Sequence, residues 1–425
     1  MITIKSLVGF QILDSRGRPT VAVRIETTDG WYKSVAVPSG ASTGAHEAVE
    51  RRDHGGAFAE KFYGGNSVYG AVHIINTVIA PNIVGAVPDI NEIDNAINNL
   101  DATTRHEVLG GNATLAVSLA GAYAAAHRAN SSIARLLNPT GALLLPMPMV
   151  NILSGGAHAA GAMDIQDVLV IPHGAQNFEQ ALSWSVAIRE CAAALGKERG
   201  FITNLVADEG GLGIPFSRTS DACAFLLEVI EKVGLKPESE VGIALDIAAT
   251  QFYRDGQYHS RATKQSYSSS EWSALMLELI RDFPILSIED PFAEDDWSAW
   301  SGFMSSLPRQ LQVVGDDHFT TNLQRLQRGA KEASANSILI KANQNGLVSD
   351  TAQVLKAANA NGFSTVVSAR SGETADTWLV DLAVGWRAGQ IKVGSTHGSE
   401  RSAKWNYLLE LEKFEETTFA QPFKK

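Results

Sequence analysis

Acidic side chains stand directly after several short apolar runs in the second half of the chain. Asp246, Glu289 and Asp316 each follow such a run, at intervals close to one strand–helix unit. Any one of them would more ordinarily cap the next helix, but parallel strands in a barrel bring their carboxyl ends to one mouth. Three carboxylates in one cleft repel one another unless a cation offsets their charge, and oxygen ligands suit Mg²⁺. The repeated pattern therefore predicts a site for a hard divalent cation.

A lysine and an anion-binding group follow the next runs. Lys341 comes directly after Ser337–Ile340, and near a bound cation its ammonium form would be disfavoured, so it could act as a base. Arg370, Ser371 and Lys392 form a cationic, hydroxyl-bearing group that suits a phosphate or a carboxylate. Together these residues predict a small phosphorylated carboxylic acid as substrate. The predicted chemistry is removal of the proton α to the carboxylate, with metal ions stabilising the product.

Two glycine-rich loops supply further candidates. Glu209 lies in Asp208-Glu209-Gly210-Gly211, which is predicted to follow another strand at Leu205–Ala207. His158 comes after the run Met149–Leu153. A lone histidine is as often structural as functional, so the pattern does not decide which role His158 has.

The elements that must position these side chains are predicted from the apolar runs. The runs alternate with amphipathic helical stretches such as Asp221–Val233 and Ser270–Asp282, which favours a closed (β/α) barrel. An open doubly wound sheet is the alternative, but no G-x-G-x-x-G follows a first strand. The predicted strands cover 149–153, 165–171, 205–207, 241–245, 285–288, 311–314, 337–340, 365–367 and 390–393.

The first 135 residues have a different pattern, in which strands precede helices. Three strands at 2–13, 20–25 and 31–37 are predicted to form an antiparallel meander, and helices are predicted at 68–83, 90–100 and 112–127. This order indicates a small α+β domain. Between strands and helices lies Pro38–Gly44, rich in small residues and hydroxyls. Its composition fits either a flexible linker or a lid that closes over a ligand.

Composition limits the partners and the compartment. A formal charge of −11 argues against nucleic acids and anionic membranes as partners. Cys191 and Cys223 cannot supply a disulfide framework, so we expect a reducing compartment, the cytoplasm. The amino terminus lacks the apolar core of a signal peptide, and the apolar helix at Ala113–Ala126 is too short for a membrane span.

Taken together, the motifs resemble those of the enolase family nearly from end to end. The resemblance implies an α/β protein with a small α+β amino-terminal domain (1–135) and an enolase-type (β/α)8 barrel (136–425) with an irregular ββαα start. The motifs that carry it are Asp14-Ser15-Arg16-Gly17, Ser39-Gly40-Ala41-Ser42-Thr43-Gly44, Asp208-Glu209-Gly210-Gly211, Ser287-Ile288-Glu289-Asp290, Gly315-Asp316-Asp317, Ile338-Leu339-Ile340-Lys341, Arg370-Ser371-Gly372-Glu373-Thr374 and Gly389-Gln390-Ile391-Lys392.

The resemblance also implies a reaction, a cofactor and residue roles. The reaction would be conversion of 2-phosphoglycerate to phosphoenolpyruvate and water through a metal-stabilised enolate, with two Mg²⁺ per active site. Lys341 would be the general base, and Glu209 the acid that protonates the departing hydroxide. Ser39 would lie on a closing loop and help to hold the second Mg²⁺. The implied ligands of the first Mg²⁺ are Asp246, Glu289 and Asp316, and the implied substrate contacts are His158, Asp167, Arg370, Ser371 and Lys392.

Three positions depart from the family pattern. Ala369 stands where the family has histidine, and Asp167, after the second barrel strand, stands where it has glutamate. Both positions would flank the end of the substrate from which water leaves. Phe10 replaces an arginine that would pair with Glu400 across the interface of a homo-oligomer, so that interface pair cannot form.

These departures leave three hypotheses. The first is a hydratase that acts on 2-phosphoglycerate. The second is a paralogue with altered leaving-group chemistry, such as the carboxyphosphonoenolpyruvate synthase of phosphonate biosynthesis. The third is a non-catalytic scaffold with the same fold. Retention of the three acids together with Lys341 and Glu209 argues against the third.

Overall fold

The computed structural model describes residues 1–55, 57–58, 63–308 and 310–424. Its amino-terminal elements are β1 (Ile4–Leu13), β2 (Pro19–Thr27), β3 (Tyr32–Ala36), α1 (Tyr69–Ile74), α2 (Ala80–Ile83), α3 (Ile90–Leu100), α4 (Gly111–Arg128) and α5 (Ile133–Leu137). The three strands form an antiparallel sheet in the order β1-β2-β3, which confirms the predicted meander. The Ala-rich α4 packs against β2 and β3 and is buried over most of its length, because it has almost no polar face.

The helix predicted at 68–83 contains a π-helical turn at Ile75–Ile79, between α1 and α2. The wider turn contains Asn76, whose side chain accepts a hydrogen bond from the N–H of Gly9 at 2.7 Å and donates one to its carbonyl at 3.1 Å. This irregularity therefore fastens the helix to β1.

The rest of the chain forms the barrel and its helices. The strands are β4 (Leu143–Leu145), β5 (Met147–Ser154), β6 (Asp167–Ile171), β7 (Gly242–Asp246), β8 (Tyr253–Arg254), β9 (Gln257–His259), β10 (Ser266–Tyr267), β11 (Ile285–Glu289), β12 (Gln312–Gly315), β13 (Ser337–Ile340), β14 (Ser364–Ser368), β15 (Gln390–Gly394) and β16 (Thr417–Phe419). The helices are α6 (Phe178–Glu198), α7 (Thr219–Lys232), α8 (Ser269–Asp282), α9 (Trp297–Ser306), α10 (Leu323–Glu332), α11 (Ala342–Asn345), α12 (Val348–Ala360), α13 (Trp378–Gly385) and α14 (Ser399–Phe414).

Eight strands close the barrel in the order β11-β12-β13-β14-β15-β5-β6-β7. β6 runs antiparallel to both of its neighbours, and α6 and α7 follow it before β7, which confirms the irregular ββαα start. Because β6 is reversed, its first residue lies at the mouth formed by the carboxyl ends of the other strands. Asp167 therefore begins the second barrel strand rather than following it.

One predicted strand is wrong. Leu205 and Val206 are 67% and 51% exposed, and Val206 makes only an isolated bridge to Leu212. The barrel wall is already closed by eight other strands, so this segment has no sheet edge to join and forms part of a loop. In the described part of the chain, no helix combines the length and the apolarity that a membrane crossing requires.

Candidate active site

The three predicted acids lie at the ends of three consecutive strands, at the mouth of the barrel. β7 and β11 are parallel neighbours, with Glu289 directly opposite Asp246. Asp316 follows β12, the next strand in the ring. All three side chains are buried, and the sequence explains why, since each comes at the end of an apolar strand whose last residue reaches the mouth.

Two lysines form ion pairs with these three acids. Lys392 is on β15, opposite β11 in the ring of eight strands, and its Nζ reaches across the mouth to Asp246 Oδ2 at 2.7 Å and to both oxygens of Glu289 at 2.8 and 2.9 Å. Lys341 follows β13, which neighbours β12 in the ring, and it pairs with Asp316 Oδ2 at 2.5 Å. Burial alone would lower the pKa of Lys341, but the negative charge of Asp316 outweighs it and raises that pKa.

The acids suit a hard divalent cation in two respects. Asp246 and Glu289 aim their oxygens at one shared cationic group, and the donor atoms are carboxylate oxygens. Asp316 also accepts a hydrogen bond from Gln344 Nε2 at 2.8 Å. Asp290, next to Glu289, has a structural role, because its two oxygens accept the backbone N–H groups of Asp316 and Asp317 at 2.9 and 2.7 Å.

The anion-binding group lies where the loop Pro38–Gly44 meets the barrel. Arg370 Nη1 pairs with Glu47 at 2.9 Å, and its Nη2 donates to the carbonyl of Ser42 at 2.8 Å. Ser371 Oγ accepts the N–H of Ala41 at 2.6 Å. The loop therefore lies against Arg370 and Ser371, as a closing lid would. The sequence pattern had not indicated the role of Glu47, because its partner lies far along the chain.

Ser39 is also in this loop, but its hydroxyl contacts Glu50 and Arg52 and none of the three acids. Its N–H and carbonyl pair with Gly372, whereas its Oγ donates to Glu50 at 3.2 Å and accepts from Arg52 at 2.8 Å. The geometry thus brings Ser39 near the anion-binding group and not to the implied ligands of the first metal.

The remaining candidates meet on the opposite side of the mouth. His158 Nδ1 contacts Asp167 Oδ2 at 2.8 Å, and its Nε2 lies 3.7 Å from Glu209. Burial opposes the charged imidazolium, but the negative charges of Asp167 and Glu209 outweigh it and raise the pKa of His158 to about 9. Burial also opposes ionisation of Glu209, but the positive charges of His158 and neighbouring cations lower its pKa below the ordinary value. Glu209 is therefore held as a carboxylate.

Asp167 is fully buried and is saturated by hydrogen-bond donors. His158 contacts its Oδ2, and its Oδ1 accepts hydrogen bonds from Asn151 Nδ2 at 2.5 Å and from Ser154 Oγ at 2.9 Å. The sequence pattern had not indicated the roles of Asn151 and Ser154, although both lie shortly before His158 in the sequence. Ala369 is buried at the end of β14 and donates its N–H to the carbonyl of Lys392 at 2.9 Å, and its methyl group offers no polar contact.

Taken together, the fold and these side chains define a barrel enzyme whose mouth combines three carboxylates, two lysines and an arginine–serine anion site. Comparison with known families agrees with this class. The model described as the enolase C-terminal TIM barrel domain matches residues 142–421, and the model of the enolase N-terminal domain matches residues 4–137.

Full-length relatives give the same result. The chain is 43% identical to the enolase of Acidothermus cellulolyticus, over 97% of this chain and 95% of the relative. It is 43% identical to that of Mycobacteroides abscessus, over 95% and 92%, and 42% identical to that of Mycobacterium leprae, over 97% and 95%. The chain belongs to the enolase family and is a lyase similar to phosphopyruvate hydratase.

Proposed function

We propose that the protein converts 2-phosphoglycerate to phosphoenolpyruvate and water and requires Mg²⁺. The observation that supports this most directly is the pairing of Lys392 with Asp246 and Glu289, and of Lys341 with Asp316, at one barrel mouth. The names of the relatives support this reaction over altered leaving-group chemistry and over a scaffold without turnover.

Each side chain has a role in this proposal. Mg²⁺ held by Asp246, Glu289 and Asp316 would supply positive charge for the negative charge that develops on the substrate carboxylate. Asp316 alone favours the ammonium form of Lys341, but Mg²⁺ held beside it would disfavour that form. Lys341 then removes the proton from C2, and Lys392 contacts the carboxylate. Arg370 and Ser371 hold the phosphate, and Ser39 would help to hold a second Mg²⁺. Glu209 is the acid that protonates the departing hydroxide, for which its carboxylate must first take up a proton. His158 and Asp167 contact the substrate at the end from which water leaves.

We also propose that the chain divides into domains near residue 135, with 1–135 as the cap and 136–425 as the catalytic barrel. The gap between the two matched family models, from 137 to 142, supports this division.

The test follows two reactions in parallel. Purified protein with Mg²⁺ and 2-phosphoglycerate should show the rising ultraviolet absorbance of the enol product, and in D₂O the C2 proton should exchange. Lys341→Ala should lower both rates by about 10²–10⁴-fold, as expected for loss of a general base. Lys331→Ala, on the exposed face of α10, is the matched control and should change neither rate.

The outcomes separate the hypotheses. Exchange without elimination in the unmodified protein would contradict the hydratase reaction and support the paralogue. Absence of both reactions in protein that binds Mg²⁺ would support the scaffold. Exchange that persists in Lys341→Ala would contradict the role of this lysine as the base.

A further inference from the structure

A cavity of about 380 Å³ lies beside the loop Pro38–Gly44, and it is separate from the acids and lysines of the barrel mouth. Five loop residues line it, together with Glu47, Glu50 and side chains from the amino-terminal part of the chain. Neither Arg370 nor Ser371, which contact the loop through Ser42 and Ala41, is among the lining residues. The loop and Glu47 thus separate two spaces.

The wall of this cavity has an excess of positive charge. Glu47 is paired with Arg370, which lies outside the cavity, and Glu50 is paired with Arg52 at 2.5 Å. Two guanidinium groups are left without a carboxylate partner among the described residues. The Arg105 side chain makes one hydrogen bond within the described part of the chain, from its Nε to the carbonyl of Glu47 at 2.8 Å. The Arg18 side chain makes no hydrogen bond or ion pair with any described residue.

The chain has a formal charge of −11, yet the wall of this cavity carries three arginines and two glutamates. Positively charged groups that line a polar cavity, and that are not needed to neutralise an acid there, favour an anionic occupant. Guanidinium groups match phosphate oxygens geometrically, and the volume is that of a small-molecule site. The amides of Asn66 and Asn343 also line the cavity and can contact polar groups of a ligand.

We propose that this cavity is a second anion site that binds a small phosphate-bearing molecule through Arg18 and Arg105. The site is coupled to the loop, because Pro38, Ser39, Gly40, Thr43 and Gly44 line it while the intervening Ala41 and Ser42 contact the anion-binding group of the barrel. An anion bound in the cavity stabilises the closed position of the loop. By linkage, a closed loop in turn strengthens binding of that anion.

Binding of radiolabelled inorganic phosphate to the full chain at constant ionic strength tests the proposal without turnover. The barrel mouth and the cavity should give two phosphate sites per chain. The double variant Arg18→Gln/Arg105→Gln should keep the site at the barrel mouth unchanged. It should bind phosphate in the cavity about tenfold or more weakly, since each charge-assisted hydrogen bond contributes substantially. Lys331→Gln, which removes an exposed charge outside the cavity, should keep both sites.

Hydrogen exchange of the backbone amides of residues 39–44 reports the coupling. Phosphate should slow exchange of these amides in the unmodified protein, and it should slow them less in the double variant. A variant with lysine instead of glutamine at position 105, which keeps the positive charge, should recover part of the phosphate binding in the cavity. Glycerol 3-phosphate as a second probe separates the sources of the anion: tighter binding than phosphate indicates a phosphorylated metabolite, and equal binding indicates free phosphate.

Three results would overturn the proposal. The first is two phosphate sites of unchanged affinity in the double variant. The second is equal weakening by Lys331→Gln, which would indicate a general charge effect. The third is a loop whose exchange does not respond to phosphate. A folded double variant is verified by an unchanged thermal transition in the absence of phosphate.

Discussion

Replacing Lys392 by methionine should destabilise the folded protein by about 3–5 kcal/mol in the absence of divalent ions. The lysine contacts two buried carboxylates at 2.7–2.9 Å, and its side chain is only 6% exposed. Methionine keeps the apolar stem and lacks only the terminal ammonium group, and it leaves Asp246 and Glu289 without their cation. The loss therefore measures the cost of two adjacent buried carboxylates without their cation, and not the cost of a cavity. Burial and the charge of Asp246 already raise the pKa of Glu289.

Mg²⁺ should recover much of this loss. A ligand that binds only the folded state stabilises it by about 2.7 kcal/mol at 100 times its Kd. In the variant, Asp246 and Glu289 bind the ion without first releasing an ammonium group, so Mg²⁺ should bind more tightly and stabilise the variant more than the unmodified protein. The measurements are urea midpoints at fixed slope and calorimetric titration with Mg²⁺.

Lys404→Met provides the matched control. Lys404 is equally buried and pairs with Glu373 at 3.0 Å, behind Arg370. This variant should also lose stability, but Mg²⁺ should recover none of the difference, because no acid of the metal site is involved. The reasoning would be refuted if Lys392→Met cost less than about 1 kcal/mol, or if Mg²⁺ stabilised both proteins to the same extent.

The remaining predictions concern the leaving-group side and one buried acid elsewhere. Asp167→Asn should lower elimination by about 10²-fold while C2 exchange continues, because an amide NH₂ in place of Oδ2 would face the Nδ1 of His158 instead of its present carboxylate oxygen and release His158; equal loss of both rates would contradict this. Ala369→His combined with Asp167→Glu should raise hydratase turnover, by up to about 10²-fold, in the absorbance assay. Burial raises the pKa of Asp94 to about 6. Asp94 therefore binds a proton more readily in the folded protein than in the unfolded chain, and the free energy of unfolding falls as pH rises from about 4 to 6. Asp94→Asn should therefore be more stable than the unmodified protein at pH 7.5, by up to about 2–3 kcal/mol, and not at pH 4 in thermal unfolding.

The sequence was informative where function follows from position on a strand. Asp246 and Glu289 end apolar strands, and barrel geometry brings such ends together, so their proximity could be predicted without knowing any contact. α3 was predicted at its observed bounds because its apolar residues have a clear helical period. Leu205–Ala207 is apolar as well, but an apolar run does not show whether a sheet edge is available to it, and there the prediction was wrong.

What the sequence could not give are contacts between residues that no periodic pattern relates. Lys392 reaches its two acids from the opposite side of the barrel, and this pairing depends on the closure of the ring. Glu47 meets Arg370 from a separate domain, across 323 positions of sequence. A cation excess around a cavity is likewise visible only after each acid on its wall has been assigned its partner.

The leaving-group side shows how two departures from a family pattern can belong to one arrangement. A shorter acid at position 167 cannot reach as far into the mouth, and here its oxygens are taken up by Asn151, Ser154 and His158. Ala369 leaves no second ring at the end of β14, so His158, held between two carboxylates, is the charged imidazole on this side among the described residues. Any effect of the departures on turnover should therefore appear in departure of the hydroxyl group, whereas proton removal by Lys341, on the other side of the mouth, should be spared.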